Sequence, residues 1–360
     1  LLLRLVVAAA GLLGLAACSS PEPQRVAELP GWGEDALAEA IPAYLAGCAR
    51  PTPVQTPVLC AEAAALPPGD NAAARGFFER NFTLRLAGEG LMTGYYEPEL
   101  RGAAAASPDF PVPLHRRPAD LVDVDLGAFA PDLAGRRTAG RVKGNRLRPY
   151  PDRAAIEAGN GATLLYVADP VERFFLQIQG SGRVVLPDGT VRRVGYDGQN
   201  GRPYVPIGRL LADEGAIPRA EVSMQSIRAW LAAAGPAAAQ AMMDRNPSYV
   251  FFRDIPARSD QGPTGAQGVP LTPLRSIAVD RSEIPLGSPV WITARHPETG
   301  AALRRLVLAQ DTGGAIRGPA RADLFWGWGE AAARAAGPMQ GRATLYVLQP
   351  RNDISSGATR

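Results

Sequence analysis

The sequence is poor in the residues from which most catalytic and metal sites are built. Its 360 residues include three cysteines and two histidines. Three Cys exclude a disulfide-dense scaffold and a four-Cys zinc site. Two His exclude a three-His metal centre, and neither metal nor cofactor is expected. His115 and His296 lie in polar Arg/Pro settings, and Gly180-Ser181-Gly182 is not a Gly-x-Ser-x-Gly elbow, so a serine triad is disfavoured. Charge of one sign is also missing. With 38 Lys+Arg against 35 Asp+Glu the net charge is +3, without a long basic run, so nucleic acid is not an expected partner. What is abundant is 46% hydrophobic and 20% charged residues, a globular composition. Gly 39 and Pro 34 point to many turns and short strands. The length suggests two domains, each able to bury a core.

Leu1–Cys18 reads as an address. One Arg is followed by an unbroken apolar run that ends in Leu15-Ala16-Ala17-Cys18. The run is too short for a spanning helix and suits a secretory leader. Leu-Ala-Ala-Cys resembles the lipobox of bacterial lipoproteins, in which the Cys sulfur takes a diacylglycerol and becomes the new N-terminus. Lipidation at Cys18 would anchor the chain through its acyl groups, and Ser19 after the Cys favours the outer membrane. Cys48 and Cys60, in an oxidising compartment, either bridge or remain two separate buried thiols.

Along the chain, Leu37, Ile41 and Leu45 have helical spacing, and Gly69-Asp70-Asn71 opens a second helix. A strand pattern begins at Phe82. Leu164–Val167 and Phe174–Ile178 read as short β runs. Arg183–Val185 and Val191–Val194 flank Pro187-Asp188-Gly189 as a hairpin. Helical pattern returns at Ile207–Glu214 and at Ser223–Arg245, the latter broken at Gly235-Pro236. β pattern resumes at Tyr249. The class is mainly β with a few helices.

Four stretches can carry chemistry: Gly94-Tyr95-Tyr96-Glu97-Pro98; Gln177-Ile178-Gln179-Gly180-Ser181-Gly182; Val279-Asp280-Arg281-Ser282; and Gln310-Asp311-Thr312-Gly313-Gly314, followed by Asp323-Leu324-Phe325-Trp326. A carboxyl among Leu324, Phe325 and Trp326 is partly desolvated, which raises its pKa toward that of a general acid. Gly313 and Gly314 permit close backbone approach. Gln179, Gly180, Ser181 and Gly182 offer polar groups to sugar hydroxyls or amides, and Tyr95, Tyr96, Trp326 and Trp328 could stack on sugar faces. Asp311-Thr312-Gly313 imitates an aspartic-protease motif, but no second copy supplies the partner Asp.

These stretches, in this order, resemble the membrane-bound lytic murein transglycosylase A family from about Gly94 to Leu348. The resemblance implies a double-psi β-barrel domain, a second, inserted β-barrel domain, a few flanking helices and a large groove between. It divides the chain into leader 1–18, tether 19–33, first part of the barrel 34–99, inserted domain 100–245, second part of the barrel 246–350 and tail 351–360. The second part is the three-aspartate domain, whose aspartates match Asp280, Asp311 and Asp323. The family's catalytic acid maps to Asp323, with Asp311 as its auxiliary. Tyr95, Tyr96, Gln179, Gly180, Ser181, Gly182, Asp280, Gly313, Gly314 and Trp326 would contact substrate. The implied activity is cleavage of peptidoglycan glycan strands with formation of 1,6-anhydro ends, at the periplasmic face of the outer membrane and within reach of a cell-wall synthesis complex. The stretch Arg317–Ala322 departs from the family pattern. A non-catalytic polysaccharide-binding module is the alternative.

Overall fold

The computed structural model describes residues 25–256 and 260–351. Cys18, the leader and nearly all of the expected tail lie outside them. Six strands precede the middle of the chain: β1 (Phe82–Glu97), β2 (Glu99–Ala103), β3 (Val112–His115), β4 (Val122–Asp125), β5 (Arg137–Lys143) and β6 (Arg146–Pro149). Four follow: β7 (Thr163–Val167), β8 (Ser181–Val185), β9 (Val191–Gln199) and β10 (Val250–Asp254). The last five are β11 (Ser276–Val279), β12 (Pro289–Arg295), β13 (Ala302–Asp311), β14 (Ala322–Trp328) and β15 (Gln340–Pro350).

β1 closes a barrel with the last five strands, in the order β1-β14-β11-β13-β12-β15. β1 pairs with β14 and β11 with β13 in parallel; the other pairs are antiparallel. The barrel is thus assembled from chain on both sides of the insertion, as the family resemblance implies. Side-chain alternation fills it. On β12, Val290 and Ile292 point inward to Ile277, Val307, Leu324 and Leu345. Trp291 between them points outward to Trp32, Tyr44, Phe77 and Phe78 of an N-terminal helical layer. Each such side chain, fully buried, contributes about 1.5–3 kcal/mol relative to exposure.

Three expectations change here. Residues 25–33 are not tether: Val26, Leu29 and Trp32 are buried at every third position, the period of the 3-10 turns Val26–Glu28 and Trp32–Glu34. Asp35, just after them, forms a bidentate ion pair with Arg275 at 2.7 and 2.9 Å. It also accepts from the Leu306 amide, and both partners are buried. This pins the N-terminal layer to the barrel. Phe174–Ile178 is not strand but part of the helix Pro170–Gln179. The start and stop signals were present: Asp169 caps the Val171 amide, Pro170 opens the helix, and Gly180 ends it in the left-handed conformation at φ 79°. Val171, Phe174, Phe175 and Ile178 also follow helical spacing.

The third change concerns the division of the chain. β10 pairs with β9, so the inserted unit extends past residue 245 to about Asp254. Its main sheet runs β10-β9-β8-β2-β7-β3. This sheet curls until its outer strands meet at a single parallel bridge, Arg116–Phe252. A separate three-stranded sheet has the order β4-β5-β6. The β8–β9 hairpin turns as read, with Asp188 accepting from the Thr190 amide.

Cys48 and Cys60 are joined by a disulfide between the helices Ala40–Cys48 and Pro57–Ala64. The bridge closes a loop with a sequence separation of 12, for which loss of chain entropy predicts about 3 kcal/mol. Replacing both Cys by Ser is expected to lower the melting temperature of the oxidised protein accordingly. A double mutant that melts with the wild type would leave the bridge without a stabilising role.

Candidate active site

The site is built where β1 runs beside β14. Their parallel register sets Thr93 opposite Asp323, and the Thr93 hydroxyl donates to Asp323 Oδ1 at 2.7 Å. Two residues on, Tyr95 shares the face of Thr93. Its hydroxyl donates to Asp311 Oδ2 at 3.0 Å, while the Ala266 amide donates to Asp311 Oδ1 at 2.9 Å. The Tyr95 ring rests 5.3 Å from that of Phe325. The β1–β14 register then slips between Tyr95 and Glu97. A bulge of this kind re-aims a side chain, which explains how the adjacent Tyr95 and Tyr96 both reach the same cavity.

That cavity, of about 500 Å³, lies between the barrel and the inserted unit. The inserted unit contributes Gln179, from the end of its helix, and Ser181. Asp311, Gly313, Gly314 and Asp323 line it from the barrel. Tyr96 and Gln179 continue into a neighbouring hollow of about 280 Å³. Tyr96 and Met224 continue in turn into one of about 810 Å³. Together they form an extended groove along the seam.

The two acids differ in environment. Burial raises the Asp323 pKa above the ordinary 3.8; the Thr93 hydroxyl and Arg321 oppose the rise, and the negative charge of Asp311 adds to it. Asp311 takes two donors. Burial, reinforced by Asp311, holds the Tyr95 phenol well above 10, so it stays a donor. Glu97, at the cavity floor, is buried; desolvation raises its pKa against the pull of Arg193. Arg193 Nη2 binds Glu97 at 2.5 Å and Nη1 donates to the Gly262 carbonyl at 2.6 Å. One guanidinium on β9 thereby ties the inserted unit to both chain segments of the barrel side.

Four of the residues expected to contact substrate are placed elsewhere. Trp326 points to the other face of β14, edge-on to His296 at 5.1 Å with its indole N–H toward Met339. Strand parity decides this: Asp323 and Phe325 share the cavity side, Leu324 and Trp326 the core side. Asp280 accepts from the Ser282 hydroxyl and amide and from the Gly318 amide, which bring its pKa down to about 2. It anchors the divergent 317–322 stretch instead of lining the cavity. Gly180 ends a helix, and Gly182 packs so closely that a Cβ would stand 2.5 Å from Leu176. A Cβ at Gly314, which lines the cavity, meets nothing within 4 Å, so packing does not demand the glycine there. Phe325, Thr93, Glu97 and Thr264 were given no role at the site, although Phe325 and Glu97 fall within the motif stretches. The alternation that pairs 93 with 95 and 323 with 325 was legible for Phe325 and Thr93. His115 is bound to Tyr249 away from the site, and burial pushes its pKa down to about 4. Among the described residues no His/Cys/Asp/Glu group could hold a metal ion.

Fold and site together describe a two-unit β protein with a protonation-prone carboxyl in an interdomain groove. Residues 91–253 match the MltA specific insert domain and residues 275–349 the 3D domain. The membrane-bound lytic murein transglycosylase A of Vibrio cholerae is 34% identical over 200 residues, 54% of this chain and 53% of that protein. The matched part is therefore about half the length of that relative. The crystal structure of MltA from Neisseria gonorrhoeae superposes with a TM-score of 0.79 at 33% identity, covering 91% of this chain and 90% of that one. A structure of Escherichia coli MltA with bound chitohexaose superposes at 0.58 with 28% identity, covering 78% and 79%. The chain belongs to the membrane-bound lytic murein transglycosylase A family.

The raised pKa of Asp323 has a consequence for stability. The folded chain holds this proton more tightly than the unfolded chain, so stability falls as pH climbs from the ordinary carboxylate range through the raised value. Asp323→Asn removes a partly buried charge. It is expected to melt above wild type near neutral pH, with the gap closing below about pH 4. A mutant less stable than wild type at pH 7 would make the carboxylate a net stabiliser.

Proposed function

We propose that the protein is a peptidoglycan lytic transglycosylase that cleaves the β-1,4 bond between N-acetylmuramic acid and N-acetylglucosamine and leaves 1,6-anhydro ends. The observation that carries this reading is the pairing of one half-buried carboxyl of raised pKa, Asp323, with an interdomain groove long enough for a polymer. Family membership and the sugar oligomer bound by the Escherichia coli relative support it.

Asp323 protonates the leaving glycosidic oxygen as positive charge builds at the anomeric carbon. Ionised Asp323 then takes the proton of the same sugar's 6-hydroxyl, whose oxygen closes on that carbon. The attack is intramolecular, so proximity replaces the second carboxyl that a hydrolase uses as nucleophile or base. Burial is the main cause that favours the protonated form of Asp323, and Asp311, fixed by Tyr95 and Ala266, adds a like charge in the same direction. Gln179 and Ser181 face the sugar from the inserted unit.

Digestion of purified murein tests the chemistry. Asp323→Asn is expected to lose more than the roughly 10²–10⁴-fold typical of one acid–base role, because both half-reactions lose their catalyst. Asp311→Asn should lose less. Wild-type product ends should be lighter by one water than reducing ends. Reducing ends from wild type would make the protein a hydrolase, and murein bound but left intact would make it a binding module.

The chain is further proposed to be a lipoprotein of the outer membrane, anchored through Cys18 at its periplasmic face and close to cell-wall synthesis. Among the described residues no helix is long and apolar enough to cross a membrane. Cys18→Ser should abolish lipidation. A mutant of unchanged apparent mass that still fractionates with outer-membrane vesicles after a salt wash would dispose of the anchor.

A further inference from the structure

The β4-β5-β6 sheet presents two faces of opposite character; both are exposed toward the β5–β6 turn, while Ala139 on β5 and Tyr150 just after β6 are buried against Leu121, Tyr249 and Phe251. Val142 pairs with Leu147, and Val122 pairs with Gly140 two residues along the same strand. Alternation puts the three aliphatic side chains on one face. Val122 is 40% exposed, Val142 60% and Leu147 47%. Phe129, in the connection from β4 to β5, is 79% exposed. On the opposite face Arg141 pairs with Arg148, and Lys143 with Arg146. Like charges directly opposite one another destabilise a sheet, so the pairing of these cations does not itself stabilise the fold. Arg137 extends the cluster on β5; Asp123 and Asp125 of β4 share this face, Asp125 opposite Arg137, so the cations outnumber the acids five to two and are unopposed on the β5–β6 hairpin, where residues 133–151 contain no Asp or Glu. Among the described residues, Arg141 lies over the Tyr150 ring at 5.7 Å, while Arg136, Arg137, Lys143, Arg146 and Arg148 are solvent-exposed.

We propose that this sheet is an amphipathic element that lies on an anionic lipid surface, independently of any covalent anchor. Its aliphatic face enters the boundary between headgroups and acyl chains, and its cations sit at phosphate depth, the arrangement of an interfacial amphipathic segment. The occupant follows from the two faces together. A nucleic acid or an acidic polymer would use the cations and leave the aliphatics in water. A protein seated on one face would leave the other as it is. A lipid interface engages both at once, and each cation near an anionic surface strengthens binding about fivefold.

Vesicle flotation of the full chain carrying Cys18→Ser tests this. The apolar leader is common to every variant and cancels from the comparison. Binding is measured on phosphatidylglycerol-rich and on pure phosphatidylcholine vesicles, for this parent, for Val142→Ser with Leu147→Ser, and for Lys143→Glu with Arg146→Glu. Each pair should lower the partition onto anionic vesicles about tenfold or more. The parent should prefer anionic over neutral vesicles, and the charge-reversed pair should lose that preference. Unchanged melting temperatures and murein digestion would show that the fold is intact. Loss with the charge pair alone would replace the lipid by an acidic polymer or protein and overturn the proposal. So would a parent without anionic preference, or two variants that float like the parent.

Discussion

The parallel pairing of β1 with β14 is the constraint on which the rest depends. β1 comes before the insertion and β14 near the end of the chain, and the barrel cannot close without both. The same register sets Thr93 against Asp323 and carries Tyr95 to Asp311. Where β1 leaves the barrel it bulges, turns at Pro98 and continues as β2 in the other sheet. The groove therefore opens at the point where closing the barrel and starting the insertion meet, and its walls come from two units by necessity.

The site is stabilised from around it, not from within. Arg275 and Asp35 lock the N-terminal layer onto the barrel, and Arg193 joins Glu97 and the Gly262 carbonyl across the seam. Removing one partner from such a buried pair generally costs about 3–5 kcal/mol, because the other charge is stranded. Within that frame Asp323 is held where its charged form is disfavoured, a local loss that a rigid surround tolerates. Asp311, a short way along the same wall, is satisfied by two donors. Two chemically identical side chains thus sit in different surroundings, and burial raises the pKa of Asp323.

The lipid-facing sheet shows the same principle on the outside. No basic run stands out along the chain, since its cations alternate with Val142, Gly144 and Leu147. Folding the hairpin sets Arg141 on Arg148 and Lys143 on Arg146 and so concentrates the charge.

Much was legible in the residues alone. The four motifs carried the family and hence the barrel assembled around an insertion, and Asp-Gly placed the β8–β9 turn. The raised pKa of Asp323 was expected from the apolar residues after it, although of these only Phe325 shares its side of β14. What was not legible turns on parity and on distant partners. Trp326 and Phe325 are adjacent aromatics, and only the direction of β14 in the barrel sends one to the core and the other to the cavity. Asp280 has the same motif context as its two fellows, yet the nearby Ser282 and distant Gly318 make it an anchor. The sequence by itself determined which residue types and turns were available, because these rest on local chemistry. The tertiary structure alone decided which side chains share the groove, because a strand's facing and a carboxyl's solvation are set by neighbours brought from more than two hundred residues away.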